Sequence, residues 1–345
     1  MGRKPSDRPT SFDIAYEAGV SQPTVSRALR GDKAVSKATR EKIEAIARDL
    51  NYTVDKNASS LRSQRSNTIA LLFFEEPGVD ESTINPFFLT MLGSITRASA
   101  NRGLDLLISF QKMEDDWHTQ YQDSHRADGL ILLGYGDYTV YEERLQQLAS
   151  QGTHFVRWGS VREDNIGATV GSDNVGAGRQ VGEHLLGLGR KQIAFIGQAD
   201  ESYPEFADRY SGLCEAMDEA GLSADPKLLK KALTSEADGY AATKRLIDSG
   251  QTFDAIFAGS DLIAIGAMQA LSEAGIKVPQ DVAMAGFDDI PAAGHANPPL
   301  TTMSQDIRGA GDLLLDVLSK AIDGDEISGR EIPAKLIVRE SSVGS

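Results

Sequence analysis

From Asn67 onward the chain repeats one grammar: a short apolar run, an amphipathic stretch, then another apolar run. TIALLFF precedes the stretch from Phe87 to Ala100, LDLLISF precedes a polar helix, GLILLG precedes YEERLQQLAS, and HFVRW closes the series. Runs that are apolar without alternation suit strands covered on both faces, and amphipathic segments between them suit crossover helices. The pattern predicts a doubly wound parallel α/β lobe. After Val170 it begins again, with NVGAGRQVGEHLLGLG, QIAFIG, RYSGLCEAMDEAG, YAATKRLIDSG, DAIFAG, DLIAIGAMQALSEAG and VAMAGF. Two such lobes in tandem turn the carboxyl ends of their strands toward a shared crevice, where open sheets of this kind hold ligands.

The first 66 residues have a different character. They hold 13 Lys/Arg against 8 Asp/Glu, while the whole chain of 345 residues carries 35 against 50 and a formal charge of −15. A basic module in front of an acidic body fits a part attracted to polyphosphate and a part repelled from it. Ile14, Ala15 and Ala18, with Phe12, fall at helical spacing and stop at Gly19. Ser21 caps a second helix from Gln22, Pro23 is tolerated in its first turn, and Val25, Ala28 and Leu29 form its buried stripe. Gly31-Asp32 turns the chain, Ser36 caps a third helix, and Ile43, Ile46, Ala47 and Leu50 line it. This is the spacing of a helix-turn-helix, and Gln22, Pro23, Ser26 and Arg27 crowd the outward face of the helix that would meet base edges.

Other chemistries find no support. One cysteine, Cys214, makes no intrachain disulfide, and the five histidines, His118, His125, His154, His184 and His295, are scattered without ligand spacing, so no metal is expected. No phosphate-binding glycine loop or catalytic triad signature appears, so no cofactor and no catalysis are expected. The N-terminus has no apolar signal region and no apolar run spans a bilayer, which makes a cytoplasmic protein without membrane contact the expectation.

TSFDIAYEAGVSQPTVSRALRGDKAVSKATREKIEAIARDLNY resembles the headpiece of the lac repressor family of bacterial regulators almost without gaps. The resemblance extends through VDKNASSLRSQRSNT, similar to the family's hinge helix, and through nearly the whole remaining chain, similar to its effector-binding core of the periplasmic sugar-binding fold. It implies a headpiece over 8–53, a hinge helix over 54–65, a first lobe over 66–170 with 300–328, and a second over 171–299 with 329–341. Chain crossings are expected near Gly171–Asp173, Pro291–Pro299 and Gly329.

By the same resemblance, DNA is met by Phe12, Ser21, Gln22, Pro23, Thr24, Ser26 and Arg27, and by Asn57, Ala58 and Leu61 of the hinge, with Leu61 as a wedge into the minor groove. The effector is met by Arg209 in DRYSGLCEAM, Asp288 in GFDDI, Ser260 in AGSDLIAIGAM, Phe87 and Phe88 in INPFF at the crevice mouth, and Arg157 and Trp158 in HFVRWG. The loop EEPGVDESTI is longer than the family's usual form and is expected at the crevice opening. Ser260 stands where the family often has asparagine, Ser11 where it has a hydrophobic residue, and Val54-Asp55 where it usually has Pro-Asn.

The resemblance implies a homodimeric repressor of carbohydrate-utilisation genes. Its two headpieces bind a pseudo-palindromic operator, and a mono- or disaccharide in the crevice controls them, with induction the expected direction. A sugar-binding protein of the periplasmic type without gene regulation is the alternative, and it would lack residues 10–62.

Overall fold

The computed structural model describes residues 9–29, 31–52, 65–74, 84–111, 115–134 and 136–343. They form two compact units, one ending at Ser66 and one beginning at Asn67.

In the smaller unit, α1 (Ser11–Ala18) begins where the Thr10 N–H donates to Asp13 Oδ2 at 2.7 Å. It stops at Gly19, whose φ of 68° costs glycine nothing. After the turn come α2 (Gln22–Leu29) and α3 (Lys37–Asp49), the latter capped by Ser36 Oγ, which accepts from the Thr39 N–H at 3.2 Å. One fully buried side chain from each helix, Ile14, Val25 and Ile43, meets in the core. Lys42 Nζ donates to the Ala18 carbonyl at 2.9 Å, placing a cation at the carboxyl end of α1 and fastening α3 to it. Phe12 is not part of the stripe: two residues from Ile14 it falls on the far side of the helix, and it is 71% exposed.

In the larger unit the first sheet holds β1 (Thr68–Phe73), β2 (Asp105–Phe110), β3 (Gly129–Leu133), β4 (Phe155–Trp158), β5 (Ala168–Ser172) and β11 (Arg330–Ile332), in the order β11-β5-β4-β3-β1-β2 and parallel throughout. The second holds β6 (Ile193–Ile196), β7 (Leu229–Lys230), β8 (Ala255–Ala258), β9 (Ala283–Asp288), β10 (Thr301–Gln305) and β12 (Ala334–Ile337), in the order β12-β10-β9-β8-β6-β7, with only β12 antiparallel. Between strands run α4 (Pro86–Asn101), α5 (Tyr138–Ser150), α6 (Asn174–Gly187), α7 (Pro204–Glu219), α8 (Glu236–Asp248) and α9 (Asp261–Glu273), followed by the short α10 (Pro291–His295), α11 (Ile307–Asp323) and α12 (Glu340–Val343).

The lobe boundaries differ from those expected. The segment 300–328 does not return whole to the first lobe: β10 pairs with β9 in the second sheet, and only α11 packs on the first lobe, against α4. The crossing therefore falls at Asp306, which caps α11, and not in the proline-rich stretch 291–299, where α10 forms and the Leu300 N–H bonds the Ala293 carbonyl. Likewise β11 belongs to the first sheet, so the last crossing falls at Pro333 between β11 and β12, and not at Gly329. The first crossing comes at Asp173, because β5 continues through Ser172.

Candidate functional site

On the helical unit the outward surface of α2 is built by elimination. Val25 and Ala28 go inward, which leaves Gln22, Pro23, Thr24, Ser26 and Arg27 wholly or partly exposed beside Ser21. Ser21 and Thr24 join their hydroxyls at 2.8 Å, and Gln22 Nε2 donates to Ser11 Oγ at 3.2 Å. Tyr16, 90% exposed, and Phe12 extend the surface along α1 as uncovered aromatics. Hydrogen-bonding groups at the amino end of a two-turn helix, flanked by bare aromatic rings, suit a major groove better than bulk water. Asn57, Ala58 and Leu61 lie outside the described residues.

In the two-lobed unit a cavity opens at the carboxyl ends of β1, β3 and β4, and its lining includes Gln111, Tyr138, Arg157, Trp158, Pro204 and Glu205. The room it encloses is small, ≈ 20 Å³, about enough for one water molecule. Arg157 is buried: its Nη2 donates to Asn165 Oδ1 at 2.8 Å and its guanidinium sits 5.0 Å from the Tyr138 ring centroid. Trp158 forms part of the wall and is backed by Phe87, with centroids 6.0 Å apart. Phe87 and Phe88 are not among the residues that line the cavity. Asn85 caps α4 by accepting from the Phe87 N–H at 3.0 Å, and both rings fall on the face of α4 that packs into the core.

Arg209, Asp288 and Ser260 lie in the second lobe, and none of them lines the cavity. Arg209 is buried, donates from Nε to Asn174 Oδ1 at 2.9 Å and from Nη1 to the Gly259 carbonyl at 2.5 Å, and sits 3.6 Å from the Phe287 ring centroid. Asp288 Oδ1 accepts from Gln305 Nε2 at 2.8 Å, and Gln305 Oε1 accepts from Ser172 Oγ at 2.6 Å. The Ser172 carbonyl in turn accepts from Asn174 Nδ2 at 3.0 Å. A continuous polar chain thus runs from Asp288 to Arg209 through the residues at which the polypeptide passes between lobes. Ser260 Oγ caps α9, accepting from the Ile263 N–H at 3.3 Å. The loop 75–83, expected at the opening, lies outside the described residues.

Asp288 and Asp289 have φ of 113° and 53°, conformations that side chains other than glycine rarely adopt. They are held from beneath by Asp261, whose Oδ2 accepts from the Ile290 N–H at 2.9 Å and whose Oδ1 accepts from Thr302 Oγ1 at 2.6 Å. Burial, and next the nearby charge of Asp288, push the Asp261 carboxyl well above the usual range.

Sequence patterns alone pass over several of these groups. Gln305, Ser172 and Asn174 are found only through the crossings. Glu205 accepts from the Ser160 N–H at 3.0 Å, and Asp208 accepts from the Ser160 hydroxyl and from Arg162, so two carboxylates of α7 meet the loop after β4 across the crevice. An acidic pair spaced three apart in the first turns of a helix was the available signal.

Residues 12–55 match the profile of the bacterial regulatory proteins, lacI family, and residues 183–342 that of a periplasmic binding protein-like domain. The transcriptional regulator CelR of Thermobifida fusca is 31% identical over 342 residues, covering 97% of this chain and 98% of its own. The chain belongs to the lacI family of bacterial regulatory proteins. Another member of the lacI family, the ribose operon repressor of Escherichia coli K12, is 30% identical over 96% of this chain and 98% of that one. A solved CelR–cellobiose complex superposes with a TM-score of 0.71 at 30% identity, covering 97% of this chain and all, 100%, of the other. The lac repressor dimer bound to operator and the anti-inducer ONPF shares the fold, with a TM-score of 0.78 at 24% identity over 97% of this chain and 99% of that one. As a lacI-family protein the chain is a sequence-specific DNA-binding transcriptional regulator. Among the described residues no helix is long and apolar enough to cross a membrane, and no group of three or more His, Cys, Asp or Glu is placed to hold a metal.

Proposed function

We propose that the protein is a homodimeric repressor of carbohydrate-utilisation genes whose operator affinity is set by a small sugar in the crevice between its lobes. The observation that carries this is the coexistence in one chain of an outward-facing Gln22–Arg27 surface and a polar, aromatic-walled cavity at the strand ends. The cellobiose bound to CelR and the ribose operon named for the second relative support a sugar as the controlling ligand. In this reading Arg157 and Trp158 contact the sugar from the first lobe, and Arg209, Asp288 and Ser260, which do not line the cavity as it stands, contact it from the second once the lobes rearrange. Exposed Ile108 and Phe110 on β2, the edge strand of the first sheet, supply apolar surface for the second protomer.

Sugar entering the crevice favours one lobe arrangement and operator DNA the other, and differential binding of this sort shifts operator occupancy by about 5–150-fold. A coupling of that size is readable in a titration of the DNA upstream of the protein's own operon, with and without a sugar panel, at several salt concentrations. Salt-dependent binding that one sugar relieves is the expected result. Binding that no sugar alters would remove the effector half of the reading. The sugar-binding alternative without gene regulation has nothing to favour it, since the headpiece is present and folded.

A further inference from the structure

Asp288 ends β9 in a backbone conformation that ordinary side chains rarely adopt, and Asp289 follows it in another, with φ of 113° and 53°. Such conformations persist only where the surroundings over-determine them. The turn also crowds charge, since Asp261 lies beneath it close enough to feel both Asp288 and Asp289. Neighbouring carboxylates push one another apart unless donors or a cation hold them. Gln305 Nε2 holds the carboxylate of Asp288, and Asp261 holds the N–H of Ile290. Between those two anchors stands Asp289, and its anchor comes from the far end of the chain.

Arg339 Nη2 donates to Asp289 Oδ1 at 2.6 Å while Nη1 donates to the Leu300 carbonyl at 2.8 Å, so one planar fork ties the turn to the residue that leads into β10. The two side chains are 22% and 24% exposed. A charged bond this short, half withdrawn from water and with its cation held at a second point, is stronger than an ordinary surface ion pair. The base of the fork is fixed as well. The Arg339 N–H donates to Thr301 Oγ1 at 2.8 Å, the Ser341 N–H to the Pro299 carbonyl at 2.9 Å, and Ser341 Oγ to the Met284 carbonyl of β9 at 2.7 Å. Arg339 therefore meets Asp289 from a backbone already sewn to β9 and to the start of β10, with little freedom left to lose.

We infer that Arg339 is a positioning residue for the effector site: through Asp289 it holds the turn that presents Asp288 to the sugar. The inference rests on Asp288 contacting the effector, and it adds a group of the C-terminal segment that acts without touching the ligand. The test is calorimetric titration of the full chain with D-ribose, D-glucose and cellobiose, made on the unaltered protein, on Arg339→Met, on Asp289→Asn and on the double variant. Melting curves and operator affinity without sugar are measured on each. Asparagine tolerates a left-handed backbone, so Asp289→Asn removes the charge and spares the turn's shape. Each single change lowers the affinity of the sugar that binds by about 3–10-fold, and the double variant loses no more than the worse single one. Operator affinity without sugar stays within about twofold. A merely structural role would move the melting curve and leave sugar affinity where it was. Full sugar affinity in folded Arg339→Met, or losses that add in the double variant, overturns the inference and leaves the contact of Asp288 standing. Failure of all three sugars to bind the unaltered protein overturns the sugar reading and this inference with it. If Arg339→Met does not fold, Arg339→Lys, which keeps the charge and loses the fork, takes its place in the same cycle with the same outcomes.

Discussion

Gln22 Nε2 reaches back to Ser11 Oγ at 3.2 Å, so the first residue of α2 is tied to the first residue of α1. The bond consumes one donor of the Gln22 amide and orients its remaining donor and acceptor. If Gln22 reads a base edge, Ser11 is a positioning residue for it. Ser11→Ala is expected to lower the ratio of operator to scrambled-duplex affinity by about 2–10-fold, the worth of one hydrogen bond of about 0.5–1.5 kcal/mol. The salt dependence stays as it was, because no phosphate contact is removed. Competition titrations with the two duplexes check this, and an unchanged ratio would dismiss the positioning role.

Arg27 is exposed on the same helix and is not one of the core residues that hold the headpiece together. Arg27→Ala should therefore leave the melting temperature of the protein where it is while costing about 1–3 kcal/mol of discrimination at one operator base. Selection from a randomised operator library, comparing the two proteins, reads the effect directly. Loss of affinity equal for every duplex would mean a phosphate contact instead.

The repeating grammar was legible where strands are buried on both faces, because such strands must be nearly all apolar. Leu71, Ile131, Val156, Ile196 and Ile256 all belong to one core cluster. The same rule hid β10. TTMSQ buries Thr301 and Thr302, whose hydroxyls are satisfied by Ser342 and Asp261 rather than by water, so a largely buried strand reads as a polar linker. A linker there puts the crossing at the prolines. The recognition face was legible because helix periodicity separates inside from outside. Phe87 and Phe88 were not, since adjacency to Pro86 says where a helix begins but not which way it is turned against a sheet. Gln305 ends a strand, and what marks it, a bridge between lobes, exists only in three dimensions.

Gln305 joins Asp288 of β9 to Ser172 of β5 and thus one lobe to the other. Replacing it with leucine keeps the volume but leaves a buried carboxylate and a buried hydroxyl without those bonds, at a cost of about 1–3 kcal/mol. Denaturant unfolding should show that loss. If Asp288 contacts the effector, the response of operator binding to sugar should weaken as well, because the orientation of its carboxylate is no longer fixed. A stability loss with the sugar response intact would confine Gln305 to a structural role.

Asp261 gives a pH dependence of definite sign. Its carboxyl is pushed above the usual range by burial first and by the Asp288 charge second, so the folded chain holds this proton more tightly than the unfolded one. The contribution to stability is complete below the unfolded carboxyl value of about 3.9, and it is lost as pH rises toward the folded value. Asp261→Asn removes the titration. Its Oδ1 can still accept from the Ile290 N–H, and its Nδ2 can donate to the Thr302 hydroxyl, which serves as acceptor as readily as donor. The stability of the variant relative to the natural protein should therefore rise steadily from pH 4 upward. Parallel stability curves for the two proteins between pH 4 and pH 8 would show that Asp261 is charged in the fold and that Asp288 stands beside a second full negative charge.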